Sequence, residues 1–153
     1  MPSSSFRSCA KLVPVAALAG CMSYSSRVEL RSSDSTLLAK QASAVQEEVA
    51  IALSAIGFKP VEAATVTKQC QLYYPDLVAM WSRTEYRNFL RGSLCVTVSL
   101  EVSRDLVLVL VNSTDQGDKK GVETTSALLK QTLERRFPEL QIRVESWRYL
   151  NTA

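Results

Sequence analysis

The sequence predicts an α+β fold: an antiparallel sheet of four to five strands with two helices packed on one face. Three patterns predict it. Leu38, Ala42, Val45, Val49, Ala52, Leu53 and Ile56 recur at spacings of three and four, which is one stripe of an amphipathic helix. Leu94, Val96, Val98, Leu100 and Val102 alternate with Ser93, Cys95, Thr97, Ser99 and Glu101, which is a strand with one apolar face. Val122, Thr125, Leu129, Leu133 and Phe137 then repeat the helical stripe. Striped helices and one-faced strands bury their apolar sides against each other, and two layers are the simplest way to do so.

In chain order, Ser23 to Ser26 read as a polar tether, and Arg27-Val28-Glu29-Leu30-Arg31 as a short half-buried strand. Ser32-Ser33-Asp34-Ser35 offers N-caps to the first helix. Gly57 stops that helix by permitting a left-handed residue, Phe58 folds back on its last turn, and Lys59-Pro60 prevents continuation. Val66 to Leu72 is expected as an edge strand carrying Cys70, Tyr73 to Asp76 as a turn, and Leu77 to Trp81 as a strand. Thr84 to Leu90 is expected as a short helix ending at Gly92. After the alternating strand comes a tight turn at Ser103-Arg104. Leu106 to Val111 is a continuous apolar run, predicting a central strand covered on both faces. Asn112 to Gly121 reads as a polar loop, Pro138 ends the second helix, and Leu140, Ile142 and Val144 begin a last strand reaching about Tyr149. The order of elements is broadly that of a ferredoxin-like or related two-layer sandwich.

The N-terminus carries a different kind of signal. Arg7 and Lys11 precede an apolar run from Leu12 to Ala19, interrupted by Pro14 and closed by Leu18-Ala19-Gly20-Cys21. Such a run is too short to span a bilayer, which takes roughly 20 apolar residues. Its layout is that of a cleavable export signal. The last four residues resemble the lipobox of bacterial lipoproteins. The resemblance implies a signal peptide over 1–20, a lipidated Cys21 with a tether over 21–26, and a single periplasmic domain over 27–150. It also implies acylation of the Cys21 thiol and of the new amine, because a single chain binds membranes marginally. Met22 follows the cysteine where an Asp would favour the inner membrane, so the implied address is the outer membrane, facing the periplasm.

Export bears on the remaining cysteines. Cys9 leaves with the leader and Cys21 is the lipidation site, so Cys70 and Cys95 remain in a disulfide-permissive compartment. A bridge between them is expected; two separate buried thiols are the alternative. Cys95 falls on the polar register of its strand, so the bridge belongs on the face away from the helices.

Composition narrows the chemistry. Arg7 and Lys11 are among 18 basic residues, leaving 16 against 15 acidic ones after the leader. That near-balance gives no footprint for nucleic acid. The chain has no histidine, which excludes a Ser-His-Asp triad, a Cys-His pair and a histidine metal site built from it alone. Asn112 to Glu123 has a superficial calcium-loop spacing, but too few carboxylates at the ligand positions. Glu47-Glu48 and Glu101 with Asp105 read as solvated acids. No catalytic residue, metal or cofactor is expected.

Two groups stand out as a partner surface. Arg83, Arg87 and Arg91 recur every four residues with Trp81, Tyr86 and Phe89 interleaved, which on a helix is a basic, aromatic stripe and otherwise a solvated face whose aromatics point into the core. Trp147 and Tyr149 flank Arg148 and either offer an edge for strand addition or close the core. The expectation is a membrane-anchored, non-enzymatic binding or assembly module for an envelope protein complex. An inhibitor or immunity lipoprotein that blocks a toxin or lytic enzyme is the alternative.

Overall fold

A computed structural model describes residues 22–62, 86–101, 106–113 and 118–150. The elements are β1 (Met22–Arg31), α1 (Ser35–Ala55), β2 (Lys59–Val61), β3 (Tyr86–Arg91), β4 (Leu94–Glu101), β5 (Leu106–Ser113), α2 (Lys119–Arg136) and β6 (Gln141–Leu150). The six strands form one sheet in the order β2-β3-β4-β5-β1-β6, with every neighbouring pair antiparallel.

β5 and β6 both run antiparallel to β1 and lie on either side of it, so α2 carries the chain across β1. The four strands β6-β1-β5-β4 and the two helices thus form the split βαβ arrangement of a ferredoxin-like sandwich. β3 and β2 extend it beyond β4. The sheet is α+β and antiparallel as the pattern predicts, with six strands rather than four to five.

Both helices bury their stripes on the same face. Leu38, Ala42, Val45, Val49 and Leu53 of α1 and Val122, Leu129 and Leu133 of α2 join one core. The sheet contributes Val28 and Leu30, Phe89, Val96 and Val98, and Val107, Val109 and Val111. Fully burying one such side chain is worth about 1.5–3 kcal/mol.

Local chemistry sets the helix ends. The Asp34 carboxylate accepts from the Thr36 N–H at 2.9 Å and the Leu37 N–H at 3.4 Å, satisfying two orphan donors of α1. At its other end Phe58 N donates to Leu53 O and Gly57 N to Ser54 O, with Gly57 at φ 88°. That is a Schellman closure, and it drops Phe58 into the core. In α2 the Asp118 carboxylate accepts from Gly121 N at 2.9 Å. A Cβ at Gly121 would lie 2.5 Å from that carboxylate, so a larger residue there would push the capping carboxylate aside.

The structure differs from the sequence reading in four places. Ser23–Ser26 are not a tether. They belong to β1, where Ser25 and Ser26 are fully buried and pair with Trp147 and Ser146 of β6. Polar side chains disguise this strand, but backbone pairing on both sides satisfies it, and Ser146 donates to the Ser26 hydroxyl at 3.1 Å. Tyr86–Leu90 is strand, not helix; Gly92 at φ 57° and Ser93 make a two-residue hairpin turn between Arg91 and Leu94. Lys59-Pro60 does more than stop α1: with Val61 it pairs along β3, and Pro60 is tolerated because β2 is the last strand on that side. Asn112 and Ser113 are the buried end of β5, not loop. The predicted elements between 66 and 81 and the Ser103-Arg104 turn lie outside the described residues.

Candidate partner surface

Of the expected partner residues, Arg87 and Arg91 lie on β3 and Trp147 and Tyr149 on β6. β3 and β6 are four strands apart, about 19 Å at the usual interstrand spacing. Trp81 and Arg83 lie outside the described residues, as do Cys21 and Cys70.

Arg87 and Arg91 are on the helix-covered side of β3, in register with the buried Phe89 between them. Spacing by four keeps two residues on one side of a strand just as it does on a helix. Arg91 is committed to the fold: its guanidinium donates to the Ile56 carbonyl at 2.8 Å and lies 4.7 Å from the Phe58 ring centroid. Arg87 reaches Glu47 of α1 at 3.3 Å, with both side chains at least half exposed. Among the described residues the basic stripe is therefore reduced to one surface ion pair, that of Arg87.

β6 is the better-presented element. It is ten residues long, ends the sheet, and is paired over its whole length with β1. Gln141, Arg143, Val144, Glu145 and Ser146 are exposed. Trp147 and Tyr149 are paired through the backbone with Ser25 and Ser23 of β1, and Arg143 and Glu145 lie on the side of the sheet away from the helices, opposite Glu29 and Arg27. On that side Arg27 bridges Glu29 at 3.1 Å and Glu145 at 2.5 Å, and Arg31 reaches Glu29 at 3.5 Å. This ladder ties β1 to β6 and leaves an edge of mixed charge, which discourages indiscriminate strand pairing. The edge strand was legible in the sequence as an alternating segment; its terminal place in the sheet was not.

The same face turns apolar toward the middle of the sheet. Cys95 is fully buried there, with Val61 and Leu90 against it, so the predicted register holds. Cys95 is disulfide-bonded. Thr97, Ser99, Leu108, Leu110 and Asn112 are buried beside it. Thr97 donates to Asn88 Oδ1 at 2.9 Å, whereas neither amide atom of the Asn112 side chain has a partner. Among the described residues no three acidic or cysteine side chains group as a metal site.

Comparison with protein-family models and with curated proteins gives no match.

Proposed function

We propose that this protein is an outer-membrane-anchored periplasmic lipoprotein whose domain is a non-enzymatic binding or assembly module for an envelope protein complex. The observation that carries the reading is Leu18-Ala19-Gly20-Cys21 behind a short apolar run and two basic residues. Two further features support it. The chain lacks histidine, so the commonest nucleophile–base constellations have no base. β6 offers a long terminal strand with exposed side chains, which suits a partner that adds a strand or packs across the edge.

The test places a photo-crosslinking residue at Glu145 in the full chain, expressed at native level with labelled palmitate. A second variant carries it at Ile51, which is exposed on α1. Label in the protein and a discrete protein adduct at Glu145, absent at Ile51, are expected. No discrete adduct at Glu145 refutes the module reading, and no palmitate label refutes the anchor. An adduct with a toxin or lytic enzyme supplied from outside replaces the assembly role with the inhibitor role.

A further inference from the structure

The missing tether has a mechanical consequence. If residues 21–26 were flexible, the domain would have about 13 Å of root-mean-square slack beneath it. Instead Met22 is already paired with Leu150, one peptide and about 3.8 Å from Cys21. We propose that the end of the sheet where β1 begins is seated directly on an anionic bilayer surface, with Lys59, Lys119 and Lys120 facing the lipid headgroups. This rests on the proposed lipidation of Cys21.

The topology shows which residues share that end. One row of paired residues crosses the sheet: Lys59, Leu90, Cys95, Asn112, Ser25 and Trp147. It stands three residues, about 10 Å, from Met22. Below it lie the Gly92-Ser93 turn and the start of α2, which follows the end of β5. Lys59, Lys119 and Lys120 are exposed and come from two separate elements. Among the described acids of this end, Asp118 caps α2 and Glu123 pairs with the Lys119 ammonium at 3.6 Å in an exposed ion pair. The first turn of α2 holds two lysines behind the Asp118 cap, and juxtamembrane lysines are attracted to anionic headgroups. The opposite end, with Arg31, Asp34, Arg135, Arg136 and Glu139, carries the same balance of three basic and two acidic side chains but stands about 30 Å away along β1, out of reach of the anchored surface.

Hydrogen exchange of the lipidated full chain tests this, in vesicles of phosphatidylethanolamine with about one third phosphatidylglycerol. The comparison is a variant with ten Gly and Ser residues inserted between Cys21 and Met22. Amides of Gly57–Lys59, Gly92–Ser93 and Asp118–Gly121 are expected to exchange more slowly in the parent chain, with no difference at Ser32–Asp34 or Glu139–Leu140. The triple variant Lys59→Glu, Lys119→Glu, Lys120→Glu should lose that protection at least about fivefold, the effect of one headgroup-facing lysine. Equal exchange in parent and insertion variant, with fatty acid present on both, overturns the seating and leaves the anchor standing. A parent chain without fatty acid overturns both.

Discussion

Arg91 donates to the Ile56 carbonyl at 2.8 Å while its guanidinium covers the Phe58 ring. One side chain thus clamps the C-terminal end of α1 to the β3–β4 hairpin. The carbonyl it satisfies belongs to the C-cap residue, which the helix itself leaves without a partner. Arg91→Ala should lower the unfolding free energy by about 1–3 kcal/mol, the sum of a charged hydrogen bond and a partly buried cation–π contact. Arg87→Ala should cost under about 1 kcal/mol, because its ion pair with Glu47 is exposed. Urea unfolding of the two variants checks this; equal losses would contradict the assigned difference in role.

The helices were legible because their stripes are long and regular, and each stripe is the buried face found in the structure. The Schellman closure was legible as Gly57 followed by Phe58. Other features were not, for identifiable reasons. Ser23 to Ser26 pair as a strand through the backbone, and three serines in four residues read as a polar tether. The arginine spacing of four also keeps residues on one side of a strand, so Arg87 was placed on the wrong element though exposed as expected, and Arg91 is half-buried rather than part of an exposed stripe. Asn112 looks like the start of a loop, yet sits in the interior of the sheet. The partner residues therefore proved separable: β6 keeps a candidate role, while Arg91 has a structural one.

The side chains of Thr125 and Asn112 are buried without hydrogen-bond partners. The Thr125 hydroxyl on α2 is unbonded at 1% exposure, whereas the adjacent Ser126 donates to Val122 O at 2.9 Å. An unsatisfied buried hydroxyl costs on the order of 1–3 kcal/mol, and valine has nearly the same shape. Thr125→Val should raise stability by about 1 kcal/mol. Asn112→Leu should raise it more, since it removes two unsatisfied groups and a poor strand former. Thermal and urea unfolding measure both, and a loss of stability in Thr125→Val would show that its hydroxyl has a partner in solution.

Acid should weaken the start of α1. The Thr36 hydroxyl and backbone N–H, with help from the Leu37 N–H, hold the Asp34 carboxyl below its ordinary value of 3.8. A carboxyl depressed in the fold contributes stability that is present above its unfolded value. That contribution is lost as pH falls from about 3.8 through the lower folded value. Asp34→Asn keeps a capping oxygen but cannot titrate. Its stability deficit against the parent chain should therefore be largest at neutral pH and shrink toward pH 3. Glu139→Gln serves as a control, because Gln41 likewise holds Glu139 below its ordinary value. A deficit for Asp34→Asn that is the same at both pH values would rule out the carboxylate as its source.

The last prediction concerns Cys95 and Cys70. Cys95 is disulfide-bonded and sealed between Val61 and Leu90, on the face away from the helices. Cys70 is the partner we propose, since the proposed processing would remove Cys9 with the leader and lipidate Cys21. Closing the chain between 70 and 95 should stabilise the fold by about 3 kcal/mol in the chain-entropy view. The mature protein, unfolded without reductant, should then present no thiol to an alkylating reagent. Cys95→Ser should expose one thiol, on Cys70, and lower stability by roughly that amount. Part of the loss would come from placing a hydroxyl where the sulfur is buried. Cys70→Ser separates the two effects, because it breaks the same bridge without adding a hydroxyl beside Val61 and Leu90. Its loss should be smaller than that of Cys95→Ser, and peptide mapping should find Cys95 as the freed thiol. The helical circular dichroism should survive in both, since the α1 and α2 stripes pack on the other face of the sheet. Alkylation of both cysteines in the untreated, unfolded protein would show that they are not paired.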